Sequence, residues 1–431
     1  MPVCGLAFAL ASGCAAPGND TGSSPDQEVA AGGAPEPSSI PGIPALGIPV
    51  LPGIDVLLRD SLHLVSGRRV GLITNHTGID AQVVSSIDRL ARQPGVELVA
   101  LFSPEHGIRG TAQAGAEVGE ERDPGTGLVV HSLYGATLKP TPAMLRGVEV
   151  LLFDIQDIGA RYYTYVYTMA LAMEAAGEQG IPFVVLDRPN PVGGLAVQGN
   201  ILDPAFASFV GRYPIPMRHG MTPGELARLF QSEFGVQVDL TVVPVDGWRR
   251  SMLFPETGLP WRPPSPNMPS LESALHYPGT CLFEGTNLSV GRGTERPFQR
   301  IGAPWLDGEE LTRRMSARGI PGVAFHAEVF TPTAPGDGKF DGVELRGVRL
   351  EVTDPALYDP TRTAVALLVE ARRLSGDAWR WNADQFDRLA GTDRLRFGVE
   401  EGRDVPELAD GWTEALDAFE GLRRASLLYA P

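Results

Sequence analysis

Cysteine is scarce in this chain, which has three cysteines in 431 residues, at positions 4, 14 and 281. An odd number at these spacings gives neither a disulfide framework nor the paired spacing of a cysteine metal site. Cys281 lies among apolar neighbours, so we interpret it as a small buried hydrophobic residue rather than a nucleophile. The sequence therefore predicts no disulfide framework, no cysteine metal site and no nucleophilic role for Cys281.

Basic residues are also few. Lys and Arg number 36 against 52 Asp and Glu, which gives a formal net charge of −16. Proteins that bind nucleic acid concentrate positive charge on one surface. The composition therefore argues against a nucleic-acid partner, and we interpret the acidity as a contribution to solubility.

Common cofactor and hydrolase motifs are missing. The first predicted strand–helix turn, residues 75–78, lacks the Gly-x-Gly-x-x-Gly pattern that lets the backbone approach a pyrophosphate. The chain also has no Gly-x-Ser-x-Gly elbow and no His-x-x-x-His spacing. We predict no cofactor and no metal, although His76, His106 and His131 with Asp154 are an alternative metal set that the sequence leaves open.

The N-terminal residues have the composition of an exported precursor. A short apolar stretch at 6–10 precedes Ala-Ser-Gly-Cys, which is similar to a bacterial lipobox, although a basic n-region is missing. We predict a signal peptide with lipobox over 1–14, with Cys14 as the lipid-anchor site. Residues 15–45 are rich in Gly, Pro, Ser and Ala and predict a disordered tether. The expected location is periplasmic or membrane-anchored, and an ordinary disordered N-terminus is the alternative.

Short apolar runs dominate the first half of the chain. They are rich in Val, Ile and Leu, and each ends at polar residues; they cover 70–74, 98–102, 148–153 and 182–186. Such runs predict strands of a parallel sheet that is covered by helices on both faces. Helical patterns follow at 79–92, at 164–179 and from Thr222, so we predict a Rossmann-like doubly wound α/β domain over 46–235.

The second half of the chain has a different pattern. A strand is predicted at 238–245, and residues 255–305 are rich in proline and loops. Helices are predicted at 308–318 and 360–374, with an alternating strand at 343–352 between them. We predict a smaller C-terminal α/β or α+β domain over 236–431.

Glu105 is the strongest candidate for acid–base chemistry. Ligands of open parallel sheets bind beyond the carboxyl ends of the strands, where the polar residues that end these runs meet. Glu105 follows the second strand within Ser-Pro-Glu-His-Gly, where a proline and a glycine hold it on a short stiff turn. A proton donor or base requires such positioning. The alternative is that Glu105 caps the turn or pairs with Arg109.

Two further strand ends carry polar residues. Asp154 follows the third strand and precedes Arg161, Tyr162 and Thr164, which could give an acid beside an aromatic and hydroxyl surface for a sugar. An Asp–Arg structural pair and a tyrosine-rich core helix are the alternative. Asn190 follows the fourth strand between two prolines that fix its backbone, and a plain turn is the alternative there.

The proline-rich region contributes two more segments. Residues 263–269, which include Asn267, form a rigid run that could wall a cleft. Residues 284–298 form a glycine-containing loop that includes Glu284, Asn287 and Arg292. An arginine in such a loop could bind a carboxylate through two hydrogen bonds. A surface loop with internal ion pairs is the alternative.

Six segments together resemble the NamZ-type exo-β-N-acetylmuramidases, formerly a domain of unknown function. They are residues 103–107, 153–165, 187–191, 218–226, 264–269 and 284–294. The similarity runs from about residue 52 to the C-terminus. It implies a glycoside hydrolase that removes N-acetylmuramic acid from the non-reducing end of peptidoglycan fragments. It also implies a Rossmann-like domain and a smaller C-terminal domain that closes the active-site cleft.

The resemblance places the family's leading catalytic glutamate at Glu105, and we add His106 of the same motif as a catalytic candidate. Glycoside hydrolysis usually needs two carboxyl groups, and we predict Glu284 or Asp154 as the second. The N-acetyl group of the substrate is the alternative nucleophile. Arg161 or Arg292 is predicted to bind the lactyl carboxylate. The other predicted saccharide contacts are Asn75, Tyr162, Thr164, Asn190, Asn267 and Asn287.

Two other functions stay open at this point. One is a muropeptide-binding lipoprotein without turnover, and the other is a metal-dependent peptidoglycan hydrolase or deacetylase. In each case the expected partners are peptidoglycan-derived saccharides.

Overall fold

The computed structural model describes residues 50–110 and 121–431. The predicted signal segment 1–14 with Cys14 and the predicted tether 15–45 lie outside the described residues. Within the described ranges, no helix is long and apolar enough to cross a membrane.

The described chain alternates strands and helices. The strands are β1 Arg69–Thr74, β2 Glu97–Ser103, β3 Glu121–Arg122, β4 Val129–Ser132, β5 Val150–Asp154, β6 Phe183–Leu186, β7 Gln198–Ile201, β8 Pro216–Arg218, β9 Leu240–Val243, β10 Arg300–Ala303, β11 Val323–Phe330 and β12 Leu345–Val352. The α-helices are α1 Gly53–Asp60, α2 Ser86–Ala91, α3 Tyr165–Glu178, α4 Pro223–Glu233, α5 Leu271–Thr280, α6 Gly308–Ala317, α7 Pro360–Ser375, α8 Ala383–Ala390, α9 Arg394–Glu400, α10 Val405–Leu408 and α11 Trp412–Arg423.

The main sheet has the Rossmann strand order. Its order is β3-β4-β2-β1-β5-β6-β9, with β3 antiparallel to β4 and the other neighbours parallel. Numbering its six parallel strands along the chain gives the order 3-2-1-4-5-6 of the Rossmann fold. The predicted fold class is therefore confirmed. Because β9 is the sixth parallel strand, the sheet extends past residue 235.

Both faces of this sheet are covered, which explains the unbroken apolar runs. Leu151 and Phe153 of β5 pack in the core that contains α3 and α4. Their neighbours Val150 and Leu152 point the other way and pack with the apolar faces of α1 and α2. Because successive side chains of a strand point to opposite faces, the interior positions of a doubly covered strand form an unbroken apolar run.

The helix predicted at 79–92 is wrong over its first half, since the structure forms only α2, Ser86–Ala91. The Asp80 carboxylate accepts hydrogen bonds from the backbone N–H groups of Gln82 and Val84, and it closes a turn there. Val83 has a φ of 69°, which no α-helix allows. In contrast, α3 and α4 form as predicted, and a capping box of Thr222 and Glu225 starts α4.

The smaller C-terminal part is α+β, one of the two classes predicted for it. It contains an antiparallel sheet of order β10-β12-β11. Helix α6 packs on β11 and β12 of this sheet, and α7 packs on α6. The predicted helices at 308–318 and 360–374 and the strand at 343–352 are confirmed within two residues at each end.

Asp187 ties the end of β6 to two distant segments. Its carboxylate accepts hydrogen bonds from the Thr222 hydroxyl and the Gly224 N–H at the start of α4, and from the Tyr429 hydroxyl near the C-terminus. Burial raises the pKa of Asp187 from 3.8 to about 6, against the opposing effect of these hydrogen bonds. The folded protein therefore holds this proton to a higher pH than the unfolded chain does.

Asp187 should make stability depend on pH. Because the folded state binds the extra proton between pH 3.8 and about 6, the free energy of unfolding falls as the pH rises through that window. We expect the stability of Asp187→Asn relative to the wild type to rise by about 3 kcal/mol from about pH 4 to 7. Urea unfolding of both proteins across this range measures the difference. A difference independent of pH would contradict the assignment.

Candidate active site

A cavity of about 330 Å³ opens beyond the carboxyl ends of the parallel strands, a volume within the range of small-molecule sites. Three parts of the chain line it. The residues are Glu105, His106, 162–165 and Val210 from the Rossmann-like part; Ser265, Asn267, Met268, Tyr277, Glu284, Arg292 and Phe298 from the middle of the chain; and Asn382, Gln385, Arg388 and Leu389 from the segment around α8.

Glu105 is presented to the cavity by a tight turn after β2. His106 and Gly107 have φ values of 72° and 74°, and a left-handed conformation is uncommon for a residue other than glycine. Glu105 is buried with 9% of its surface exposed. The Thr164 hydroxyl donates a hydrogen bond of 2.7 Å to its Oε2. Two loops of the parallel sheet therefore hold this carboxyl group in place.

Thr164 stands at the N-cap of α3, but its side chain caps no backbone N–H. An N-cap threonine commonly accepts a hydrogen bond from the N–H of the second or third helical residue. Here the hydroxyl is directed to Glu105 instead. The Thr164 hydroxyl therefore orients Glu105 and does not stabilise the N-terminus of α3.

Aromatic side chains form one wall of the cavity. Ring centroids lie 4.9 Å apart for Tyr163 and Tyr165, and 4.7 Å apart for Tyr277 and Phe298, both pairs in edge-to-face geometry. The Tyr165 hydroxyl donates to the Pro264 carbonyl at 2.6 Å. Such rings offer an apolar surface to one face of a sugar.

Tyr162 and Tyr163 keep their phenol protons. The Tyr162 hydroxyl donates to the Pro278 carbonyl at 2.7 Å. Burial raises the pKa of both phenols far above their usual value of 10. These two side chains therefore act as neutral groups in the wall.

Glu284 and Arg292 form an ion pair in the cavity lining. Oε1 of Glu284 accepts from Nε of Arg292 at 2.6 Å and from Nη2 at 2.5 Å. Burial opposes the arginine charge, but the contact with Glu284 outweighs it and raises the pKa of Arg292. The guanidinium also lies 5.3 Å from the centroid of the Phe298 ring. The two charges largely neutralise each other.

Two family models match consecutive parts of this chain. The model described as exo-beta-N-acetylmuramidase NamZ, N-terminal, matches residues 70–272, and its C-terminal counterpart matches residues 275–429. The chain belongs to the NamZ family.

Relatives of the NamZ family agree in sequence and in structure. The peptidoglycan beta-N-acetylmuramidase NamZ of Bacillus subtilis (strain 168) is 49% identical over 378 residues, which cover 88% of this chain and 91% of that protein. A crystal structure of a DUF1343 family protein from Bacteroides fragilis has a TM-score of 0.82 at 37% identity, over 89% of this chain and 99% of that one. A second DUF1343 structure from that organism has a TM-score of 0.72 at 32% identity, over 88% and 99% of the two chains.

The structure brings seven of the residues predicted from the sequence to the cavity of this NamZ protein. They are Glu105, His106, Tyr162, Thr164, Asn267, Glu284 and Arg292. The other five predicted residues do not line it, and the side chain of each makes hydrogen bonds elsewhere in the fold.

Arg161 is one of these five, and its burial corrects the expectation that it binds the lactyl carboxylate. It has no exposed surface. Its guanidinium donates to the backbone carbonyls of Asn200, Ile215, Leu389 and Ala390. It therefore ties the C-terminal end of α8 to the β7–β8 hairpin and cannot reach a ligand.

Asp154 is likewise turned into the fold rather than toward the cavity. It is fully buried, and its Oδ1 accepts from Nε of Arg188 at 2.5 Å. Its other oxygen accepts from the Ser86 hydroxyl. This geometry matches the alternative of a structural Asp–Arg pair, although the partner is Arg188 rather than Arg161.

Three of the predicted asparagines stabilise loops. Their hydrogen bonds lie within loops: Oδ1 of Asn75 accepts from Thr77 N–H. Nδ2 of Asn190 donates to Met221 O and its Oδ1 accepts from Val192 N–H, and Nδ2 of Asn287 donates to Ala378 O and its Oδ1 accepts from Arg380 N–H. They lie outside the cavity lining, so we assign them to loop geometry rather than to the saccharide. Asn267 is the predicted asparagine that does line the cavity.

The residues that line the cavity from the region of α8 were not predicted from the sequence. Asn382 directly precedes this helix, and Gln385 and Arg388 follow at intervals of three residues, so all three lie on one side. The pattern Asn-x-x-Gln-x-x-Arg within a short amphipathic helix was the available signal. This segment does not follow a strand of the parallel sheet. The expectation that ligands bind beyond the carboxyl ends of parallel strands therefore does not point to it.

Within residues 50–110 and 121–431, no group of three or more His, Cys, Asp and Glu side chains is placed to hold a metal ion. His76, one member of the alternative metal set, has its Nε2 2.7 Å from the Pro263 carbonyl. Burial lowers the pKa of His76.

Proposed function

We propose that this chain is an exo-β-N-acetylmuramidase that releases N-acetylmuramic acid from the non-reducing end of peptidoglycan fragments. The observation that carries the proposal is the position of Glu105, which is held by Thr164 in the wall of a cavity of about 330 Å³. The 49% identity to the Bacillus subtilis peptidoglycan β-N-acetylmuramidase supports the same substrate class.

In this proposal Glu105 is the general acid. Its carboxyl proton passes to the glycosidic oxygen while the C1–O bond breaks, so the aglycone leaves as an alcohol. Water then supplies the hydroxyl group to C1 and returns a proton. The Thr164 hydroxyl donates to Oε2 of Glu105 and orients the carboxyl group for this transfer.

The second catalytic group is Glu284 or the N-acetyl group of the substrate. Glu284 lines the cavity, but its Oε1 is engaged by Arg292. A buried Asp154 outside the cavity cannot flank the glycosidic bond as a second carboxyl group does. His106, in the same turn as Glu105, is proposed to shape the acid site.

Hydrolysis of 4-nitrophenyl β-N-acetylmuramide by the purified chain tests the function. We expect release of nitrophenol, and release of N-acetylmuramic acid from the non-reducing end of peptidoglycan fragments without internal cleavage products. Sugar binding without release would favour the muropeptide-binding alternative. Activity abolished by a chelator and restored by a metal would favour the metal-dependent hydrolase.

Thr164→Val should lower kcat by about 10-fold, because the hydrogen bond that orients Glu105 is lost while the shape of the side chain is kept. Thr164→Ser keeps the hydroxyl and should retain most of the activity. Steady-state kinetics on the chromogenic substrate measure both variants, and melting temperatures check the fold. Equal kcat values for the valine and serine variants would remove Thr164 from this positioning role.

We also propose export, on the small residues that precede Cys14 and the tether-like composition of 15–45. Fractionation of cells that express the full chain tests this location. Recovery with the cytoplasmic fraction would contradict it.

A further inference from the structure

The cavity has one arginine that is paired and one that is not. Arg292 is engaged by Glu284. Arg388 also lines the cavity, and none of the ion pairs formed by the described residues includes it. Its Nε donates to the backbone carbonyl of Asp384 at 3.0 Å, which leaves both Nη groups for another acceptor.

The helix that carries Arg388 is held firmly. Arg161 donates to the last carbonyls of α8, and Asp387 accepts two hydrogen bonds from Arg396, at 2.9 and 2.6 Å. Asn382 donates to Gln385 at 2.9 Å on the side of α8 that lines the cavity. A guanidinium on such a support, anchored through Nε, can present two parallel Nη–H donors.

We propose that Arg388 is the specificity-determining residue that binds the lactyl carboxylate of the saccharide. This inference rests on the proposed function and names the side chain that recognises the carboxylate of the substrate. N-Acetylmuramic acid differs from N-acetylglucosamine by a lactyl ether that ends in a carboxylate. That anion enters a cavity whose wall already contains the carboxyl groups of Glu105 and Glu284, and the guanidinium of Arg292 is already engaged by Glu284. Arg388 supplies the charge that the ligand requires.

Calorimetric binding of free N-acetylmuramic acid and of its lactyl amide tests the assignment without turnover. Wild type should bind the acid about 10- to 100-fold more tightly than the amide, the range of a hydrogen-bonded charge pair. Arg388→Gln should lose this preference, and Arg388→Lys should retain part of it. Arg394→Gln is the matched control, because Arg394 is exposed at the start of α9 and lies outside the cavity lining.

The outcomes separate this inference from the proposed function. Weak binding of the acid by Arg388→Gln, with normal binding by Arg394→Gln, supports Arg388 as the carboxylate site. Equal affinity of the wild type for acid and amide, or unchanged acid binding by Arg388→Gln, overturns it. Release of nitrophenol from the chromogenic muramide by the wild type is measured separately. Absence of that release would contradict the proposed function and would leave the binding result at Arg388 unaffected.

Discussion

Glu105→Gln is expected to lower kcat on an N-acetylmuramide with a poor leaving group by about 1,000-fold, within the range for loss of a general acid. The amide keeps the size of the side chain and can accept the Thr164 hydrogen bond, so the fold and the cavity should persist. Steady-state kinetics and a melting curve measure the two effects. We expect KM and the melting temperature to change little.

The leaving group of the substrate makes this test specific for acid catalysis. An aglycone that is stable as an anion needs no proton, so the loss caused by Glu105→Gln should shrink with a dinitrophenyl glycoside. Glu97→Gln is the matched control, because Glu97 is exposed at the start of β2, the strand that precedes the Glu105 turn. A loss that is equally large for both aglycones would assign Glu105 another role, and unchanged turnover would remove it from the reaction.

The fold of the first half could be predicted because its signal is local. Both faces of β5 and β6 are buried, so their residues form unbroken apolar runs. The failed helix at 79–85 shows the limit of such patterns. There the Asp80 carboxylate bonds two backbone N–H groups, and this local competition for hydrogen bonds leaves no trace in hydrophobic periodicity.

The candidate site was predicted in part, and for a clear physical reason. Strand order brings residues at strand ends to one edge, so Glu105 and Thr164 meet although 59 positions separate them. Residue type alone cannot tell whether a side chain at that edge faces the cavity or the core. Arg161 and Asn190 are both at the edge, but backbone carbonyls occupy them. The converse holds for Arg388, which reaches the cavity from a helix far along the chain.

Asp154→Leu is expected to reduce the free energy of unfolding by about 3–5 kcal/mol, because it leaves the charge of Arg188 buried without a counterion. The two side chains are 0% and 4% exposed and lie 2.5 Å apart. A loss of that size is a large fraction of the 5–15 kcal/mol that typically stabilises a domain. Urea unfolding followed by circular dichroism measures it.

An exposed ion pair next to the same strand provides a matched control for this buried pair. Glu149 immediately precedes β5 and pairs with Arg69 at 3.3 Å, but both side chains are about half exposed, at 47% and 48%. Glu149→Gln should therefore cost less than about 1 kcal/mol. Removing both buried charges with Asp154→Leu and Arg188→Met should recover most of the stability lost in the single variant.

Activity of the conservative variant Asp154→Asn then separates structure from catalysis. The amide oxygen can still accept from Arg188, so the protein should fold, and kcat per folded molecule should stay within about 3-fold of the wild type. A second catalytic carboxyl group would behave in the opposite way, with kcat falling more than about 100-fold at an unchanged melting temperature. Because Asp154 is directed at Arg188 and Ser86 and lines no part of the cavity, we expect its removal to act on stability alone.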